Sequence, residues 1–214
     1  MHIDFFFDPV CPFCWMTSKW LRQVAPHRRL GIDWRFISLR VINDGTYEGR
    51  EHYVVRHERG LELLRVAAAV RDSHGADATG RLYEAVGNGI WQNDRLTYPD
   101  NVVGFGDAGE IERSLTAAGL PEEMAVARTD PSWDTVIVAD SHAGLERTGG
   151  NVGTPIITYG APDGPSLFGP VISTLPNVER SVAMWDALVT LSSHPDFAEV
   201  KRTRRGALDL PVYR

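Results

Sequence analysis

The chain has only two cysteines in 214 residues, Cys11 and Cys14, and their spacing constrains the fold more than any other feature. Two cysteines placed at random would stand three apart in about 1% of arrangements. Ahead of them, Ile3-Asp4-Phe5-Phe6-Phe7 bounded by Asp8-Pro9 reads as a buried strand ending in a turn. Behind them, Ser18, Leu21 and Ala25 follow Cys14 at helical spacing, with Trp20 and Val24 widening the face and Pro26 expected to stop the helix. The pair therefore sits where a strand feeds a helix. Cys11 faces unpaired backbone N–H groups and the positive end of the helix dipole, which favours its thiolate. Pro12 suits the first helical position because the N–H it lacks would be unpaired there anyway. Cys14, about one turn on, falls within disulfide range. Cys11 is expected to attack and Cys14 to resolve the mixed disulfide.

Other uses of such a pair need more than the sequence supplies. A structural zinc site requires two further ligands at characteristic spacing, but no other cysteine exists and His27 stands alone in its region; no metal is expected. An inert structural disulfide would close almost no loop, and the cytosol would tend to reduce it.

Gly31 turns the chain into a second strand over Ile32 to Leu39, with apolar residues alternating at 32, 34 and 36. From Tyr47 to Thr148 the text becomes helical, without a convincing strand of four residues. Its pieces are Glu48 to Ser73, Ala78 to Trp91, Asp107 to Ala118, Pro121 to Arg128 with proline at the first helical position, and Ser132 to Arg147 capped by Gly149-Gly150. Ile156 to Tyr159 and Ser166 to Phe168 form a hairpin, and Val178 to Ser192 is a closing helix. The order β, α, β, helical insertion, β, β, α predicts an α/β, thioredoxin-like fold with a large all-helical insertion. Residues 1–46 and 149–214 would form the thioredoxin-like domain and 47–148 the insertion, or lid. In such a sheet Thr154-Pro155, opening the third strand, would pack against the dithiol. A cis bond there would expose the Thr154 backbone to pair with an extended thiol substrate.

Composition narrows the partners. A net charge of −6 argues against a nucleic-acid binder, which needs a basic field. No apolar run approaches the roughly 20 residues of a membrane span, and the N-terminus lacks the cationic and apolar regions of a signal peptide, so a cytoplasmic protein is expected. Gly104-Phe105-Gly106-Asp107-Ala108-Gly109 matches G-x-G-x-x-G, yet no strand leads into it, which argues against a dinucleotide site. His52 and His57 share no clean helical face and read as solvated or capping residues. Trp15, Trp20, Trp34 and Trp185 read as core, although Trp15, adjoining Cys14, could wall a pocket. The cations Lys201, Arg202, Arg204 and Arg205 read as a solvated tail.

Taken together, Asp8-Pro9, Cys11-Pro12-Phe13-Cys14-Trp15, Thr17-Ser18 and Trp20 resemble the DsbA-like branch of the thioredoxin superfamily. So do Ser38-Leu39 with Asn43, Val152-Gly153-Thr154-Pro155, Phe168-Gly169-Pro170-Val171, Trp185-Asp186-Ala187 with Val189-Thr190, and Lys201-Arg202-Thr203-Arg204. Within that branch the chain is most similar to actinobacterial mycothiol-dependent nitroreductases. The resemblance implies a helical lid and electrons drawn from mycothiol, or another small thiol, as co-substrate with no tightly bound cofactor. The acceptor would be a disulfide or nitroaromatic in the cleft under the lid. Pro12, Phe13, Thr154 and Pro155 would contact the thiol, and Asn43 and Tyr53 match pocket positions, though either could cap or pack. Phe13 departs from the tryptophan usual there. Two rivals share the layout: a kappa-type glutathione transferase or 2-hydroxychromene-2-carboxylate isomerase, which would need only one thiol-orienting residue, and a redox-inactive partner-binding module.

Overall fold

A computed structural model of the chain describes residues 1–93, 96–202 and 206–214; Thr203, Arg204 and Arg205 of the expected basic tail lie outside the described residues. Four strands form one mixed sheet: β1 (His2–Phe7), β2 (Gly31–Phe36), β4 (Ile156–Tyr159) and β5 (Ser166–Phe168), in the order β2-β1-β4-β5. β1 pairs parallel to β2, with Phe5 opposite Trp34, and antiparallel to β4, with Phe5 opposite Ile157. The Phe5-Phe6-Phe7 run marks a central strand covered on both faces. Phe5 and Phe7 point into the main core, whereas Phe6 packs with Ile37 and Ile156 on the opposite face. All three rings are fully buried, and each such burial contributes about 1.5 to 3 kcal/mol.

The first helix, α1 (Pro12–Arg28), crosses from β1 to β2. Pro26 does not stop it. A proline one turn from the end forfeits a single backbone bond, and termination falls to Arg29, whose left-handed φ of 49° turns the following Leu30 N–H back to the Ala25 carbonyl at 3.1 Å. The second strand ends at Phe36 instead of Leu39 because the Ser38 hydroxyl caps a short helix, α2 (Leu39–Ile42), by accepting from the Val41 N–H.

The helices expected over Glu48 to Ser73 and Ala78 to Trp91 are two helical pieces within Val54–Trp91 (α3), parted at Gly75, whose φ of 82° and ψ of −178° are not helical; a 3-10 turn over Glu51–Tyr53 precedes the first. After α4 (Asp100–Val103), residues Phe105–Ala108 are extended (β3), outside the four-stranded sheet, so the helix expected from Asp107 begins only at Glu110 (α5, Glu110–Ala117). Gly109, at φ 76°, makes that turn. Glu122–Thr129 is 3-10 with Pro121 as its cap, and a 3-10 turn at Pro131–Trp133 leads into α6 (Asp134–Arg147). Gly149 and Gly150 follow with φ of 81° and 77°, and the Gly150 N–H closes on the Leu145 carbonyl. The last helix, α7 (Val178–Ser192), packs on α1 through Trp20 and Trp185.

One hydrophobic cluster runs through β1, α1, α3, α5 and the C-terminal Leu210 and Val212. Phe7 of β1 stacks on Tyr83 of α3 with ring centroids 3.9 Å apart. The insertion is thus built onto the same core as the dithiol helix. Among the described residues no helix is long and apolar enough to cross a membrane.

Candidate active site

Cys11 is the N-cap of α1, with extended backbone (φ −93°, ψ 112°), and Pro12 follows as its first helical residue. The cap geometry turns the sulfur back over the helix end, where Cys11 Sγ accepts from the Cys14 N–H at 3.4 Å. From across the sheet the Thr154 hydroxyl donates to the same sulfur at 3.1 Å; the Thr154-Pro155 peptide, just before β4, is cis. Both cysteines are free thiols, Cys11 only 5% exposed and Cys14 wholly buried. Their acidities are driven apart. The Cys14 thiol's hydrogen bond, above all, together with the Thr154 hydroxyl and the Cys14 N–H, holds Cys11 below the usual thiol range against the opposing effect of burial. Burial first, and then the neighbouring Cys11, push Cys14 well up. The arrangement favours a thiolate at Cys11 and a protonated thiol at Cys14.

Beneath them lies a residue whose role the sequence conceals. Among the described residues three aspartates are buried, Asp4, Asp8 and Asp140. Asp4 is paired with Arg147 (2.6 Å), and Asp140 is paired with both Arg35 and Arg71 (2.6 Å each). Asp8 has no cation among the described residues; its carboxylate accepts only from the N–H groups of Val10 (2.9 Å) and Leu39 (2.7 Å). Burial, only partly offset by those two bonds, raises its pKa to about 7. Its backbone carbonyl also accepts from the Cys11 N–H at 3.1 Å. In sequence Asp8 reads as half of an Asp-Pro turn; its burial depends on α3, where Gly60 approaches so closely that a Cβ would lie 2.7 Å from the Asp8 carboxylate.

Cys11, Pro12, Cys14, Thr154 and Pro155 converge as the sequence suggests. Phe13 is partly buried and packed against the core. Trp15 does not wall a pocket: it is 1% exposed, edge-on to Tyr83 and pressed against Gly87. Asn43 is the C-cap of α2, its amide donating to the Leu39 carbonyl at 2.8 Å. Tyr53 stands half-exposed at the start of α3 with the Arg56 guanidinium 4.1 Å above its ring. His57 lies against Tyr47, whose hydroxyl is 2.9 Å from Nδ1, and burial lowers its pKa to about 4; it is a partly buried neutral imidazole, while His52 is exposed. Among the described residues no three His, Cys, Asp or Glu side chains gather as a metal site. The Thr17 hydroxyl donates to the Pro170 carbonyl at 2.7 Å, joining two segments that carry the resemblance.

Comparison with known proteins adds three findings. A family model described as Rv2466c-like, mycothiol-dependent nitroreductase Rv2466c, matches residues 10–202. A Mycobacterium tuberculosis protein, described as uncharacterized protein Rv2286c, is 29% identical over 211 residues, covering 96% of this chain and 83% of that one. Among solved structures, the cytosolic disulfide reductase DsbM from Pseudomonas aeruginosa with GSH superposes with a TM-score of 0.57 at 14% identity (89% of this chain, 100% of that one), and a 2-hydroxychromene-2-carboxylate isomerase with a TM-score of 0.56 at 17% identity (89% and 96%). At such identities the two superpositions establish the DsbA-like fold alone, and one fold hosts both a reductase and an isomerase.

Proposed function

This chain belongs to the Rv2466c-like family of mycothiol-dependent nitroreductases, and from that premise we propose that it is a thiol-dependent oxidoreductase whose Cys11–Cys14 dithiol passes two electrons from mycothiol to a disulfide or nitroaromatic acceptor. The observation that carries the reading is the pair of donors aimed at Cys11 Sγ, the Cys14 N–H and the Thr154 hydroxyl, with a protonated Cys14 directly behind it. An isomerase that merely orients a bound thiol has no use for that second, buried sulfur, which weighs against the isomerase reading.

In the reductive half-cycle the Cys11 thiolate attacks one sulfur of an acceptor disulfide, forming a mixed disulfide and expelling the other sulfur as a thiolate. Cys14 then loses its proton and attacks Cys11 Sγ, forming the internal disulfide and expelling the second thiolate. Asp8, with a pKa of about 7, is the buried group suited to take up that proton. Two molecules of mycothiol complete the cycle: the first opens the internal disulfide at Cys11 and returns Cys14 to its thiol, and the second removes the first as mycothiol disulfide. Pro12, Phe13 and the Thr154-Pro155 backbone border the sulfur at which the thiol arrives, while Tyr53 and Asn43 stand at the insertion's entrance. A reducing cytosol suits this direction of flux.

The deciding experiment is a trap. Cys14→Ser protein, offered mycothiol disulfide and glutathione disulfide and read by intact mass, is expected to gain one mycothiol on Cys11 in preference to glutathione. Absence of any adduct would remove the dithiol from the mechanism, and a preference for glutathione would reassign the co-substrate.

A further inference from the structure

Arg56 lies in the first turns of α3 with only 6% of its surface exposed, and no carboxylate pairs with it among the described residues. Every other strongly buried charge described above has either an opposite charge or, for Asp8, a route to neutrality. A guanidinium cannot shed its proton. Its neighbours are aromatic: it lies 4.1 Å over the ring of Tyr53 and 5.0 Å from that of Tyr98, and it donates to the Tyr98 hydroxyl oxygen and to the His52 carbonyl. Tyr213, from the C-terminal 3-10 turn, closes the group with its ring 5.2 Å from that of Tyr98. The turn is anchored by the Tyr98 N–H donating to the Val212 carbonyl at 3.1 Å.

The hydrogen-bond inventory of this cluster is one-sided. Tyr98 accepts from Arg56, leaving its own proton to donate, and no bond donated by the hydroxyls of Tyr53, Tyr98 or Tyr213 occurs among the described residues. Three phenolic O–H groups and a cation therefore gather with no bond to a carboxylate among the described residues, the guanidinium reaching only the Tyr98 oxygen and the His52 carbonyl. Burial, with the charge of the nearby Cys11 among the lesser causes, keeps Tyr98 and Tyr213 protonated. The packing places the cluster beside the dithiol loop: the Tyr98 ring stacks on that of Trp91, 6.2 Å between centroids, and the Trp91 indole N–H donates at 3.0 Å to the carbonyl of Pro9, two residues before Cys11. Such a surplus of donors around a desolvated guanidinium is complementary to a planar pair of anionic oxygens, and the surrounding rings are complementary to a flat apolar body.

We propose that Arg56, Tyr98 and Tyr213 form an oxyanion-receiving subsite that selects acceptors bearing a carboxylate-like group on an aromatic ring, holding them with the reducible bond towards Cys11. This rests on the dithiol reading above for its chemistry. The step itself is the exchange already written: the Cys11 thiolate forms a bond to one acceptor sulfur and an arenethiolate leaves with the bonding pair. The subsite supplies binding and adds no electrons. On a chain of net charge −6, a preference for an anion requires such a local cation.

The test compares bis(para-carboxyphenyl) disulfide with its neutral isostere, bis(para-carbamoylphenyl) disulfide, as acceptors for the reduced protein, each rate normalised to its reaction with free dithiothreitol. The carboxylate-to-amide ratio of kcat/KM is unaffected by the fraction of folded protein. It is expected to exceed about tenfold in the wild type and to fall by about tenfold in Arg56→Gln, with Arg56→Lys retaining part of it. Tyr213→Phe, at an exposed position that perturbs no core packing, is expected to lower the ratio by a smaller factor. A ratio near one in the wild type, or one unchanged in Arg56→Gln, overturns the proposal. If neither disulfide reacts, the dithiol reading fails, and calorimetric binding of benzoate against benzamide decides the subsite by the same ratio without turnover.

Discussion

At the scale of single residues, the chemistry depends on which buried groups are left without partners. Asp8 is the clearest instance, because Asp4 and Asp140 show that this chain can neutralise a buried carboxylate when its fold calls for it. With a folded pKa of about 7 against an ordinary 3.8, the native state holds a proton that the unfolded chain has released. The contribution of this group is therefore full below pH 4 and lost as pH rises through 7. The loss is on the order of 4 kcal/mol. In Asp8→Asn that pH dependence should vanish, while an amide NH2 facing the Val10 or Leu39 N–H costs roughly 1 to 3 kcal/mol at every pH. The variant should be less stable than wild type near pH 4.5, with the gap closing or reversing by pH 8. Urea midpoints at both pH values check it, and parallel curves would show that Asp8 does not titrate in this window. The cysteine pair was legible from spacing alone. Asp8 and Arg56 were not: the first reads as turn chemistry, the second is one of 22 Lys and Arg, and both acquire their character from segments distant in sequence.

At the scale of elements, legibility follows how local the determinants are. The hairpin strands β4 and β5 and the closing helix α7 have the bounds that their text suggests, since a glycine-rich turn and an Asn177 cap that accepts from the Arg180 N–H are signals carried by neighbours. Within the insertion the signals conflict. The break expected between Ser73 and Ala78 falls at Gly75, whose backbone leaves the helical region, but Phe105–Ala108 is extended within otherwise helical text, because tertiary packing overrides propensity in short segments. The glycines of α3 make sense only against what they touch. A Cβ on Gly87 would lie 2.2 Å from the Trp15 ring, so Gly87→Ala, which would gain about 0.5 to 1 kcal/mol in an exposed helix, should instead lose about 1 to 3 kcal/mol by overpacking. A melting temperature lowered by several degrees is expected. An unchanged or raised value would mean that α3 and α1 part easily beside Cys14.

At the scale of the whole molecule, the question is whether the insertion is a separate body hinged over a thioredoxin-like domain or part of one structure. Its junctions at 47 and 148 divide the text cleanly, but the packing does not divide there. Phe7 stacks on Tyr83, the Trp91 indole N–H donates to the Pro9 carbonyl at 3.0 Å, and the C-terminal turn returns from the sheet side to tie Val212 to Tyr98. These contacts join the insertion to β1, to the loop before the dithiol and to the chain end. On the function proposed above, acceptor choice would rest on side chains that the insertion holds, with little scope for wholesale swinging. Because the apolar cluster is continuous, unfolding should be a single cooperative transition although the chain exceeds the length at which two-state behaviour is usual. Tryptophan fluorescence, dominated by the thioredoxin half through Trp15, Trp20, Trp34 and Trp185, and far-ultraviolet dichroism, to which the long insertion helix contributes heavily, should give coincident urea curves. Leu210→Ala removes a fully buried side chain and should shift both curves together, by about 2 to 5 kcal/mol. A helical signal that outlasts the fluorescence change, or a Leu210→Ala shift confined to one probe, would show instead that the insertion is an independent folding unit and restore the hinged lid as the basis of acceptor choice.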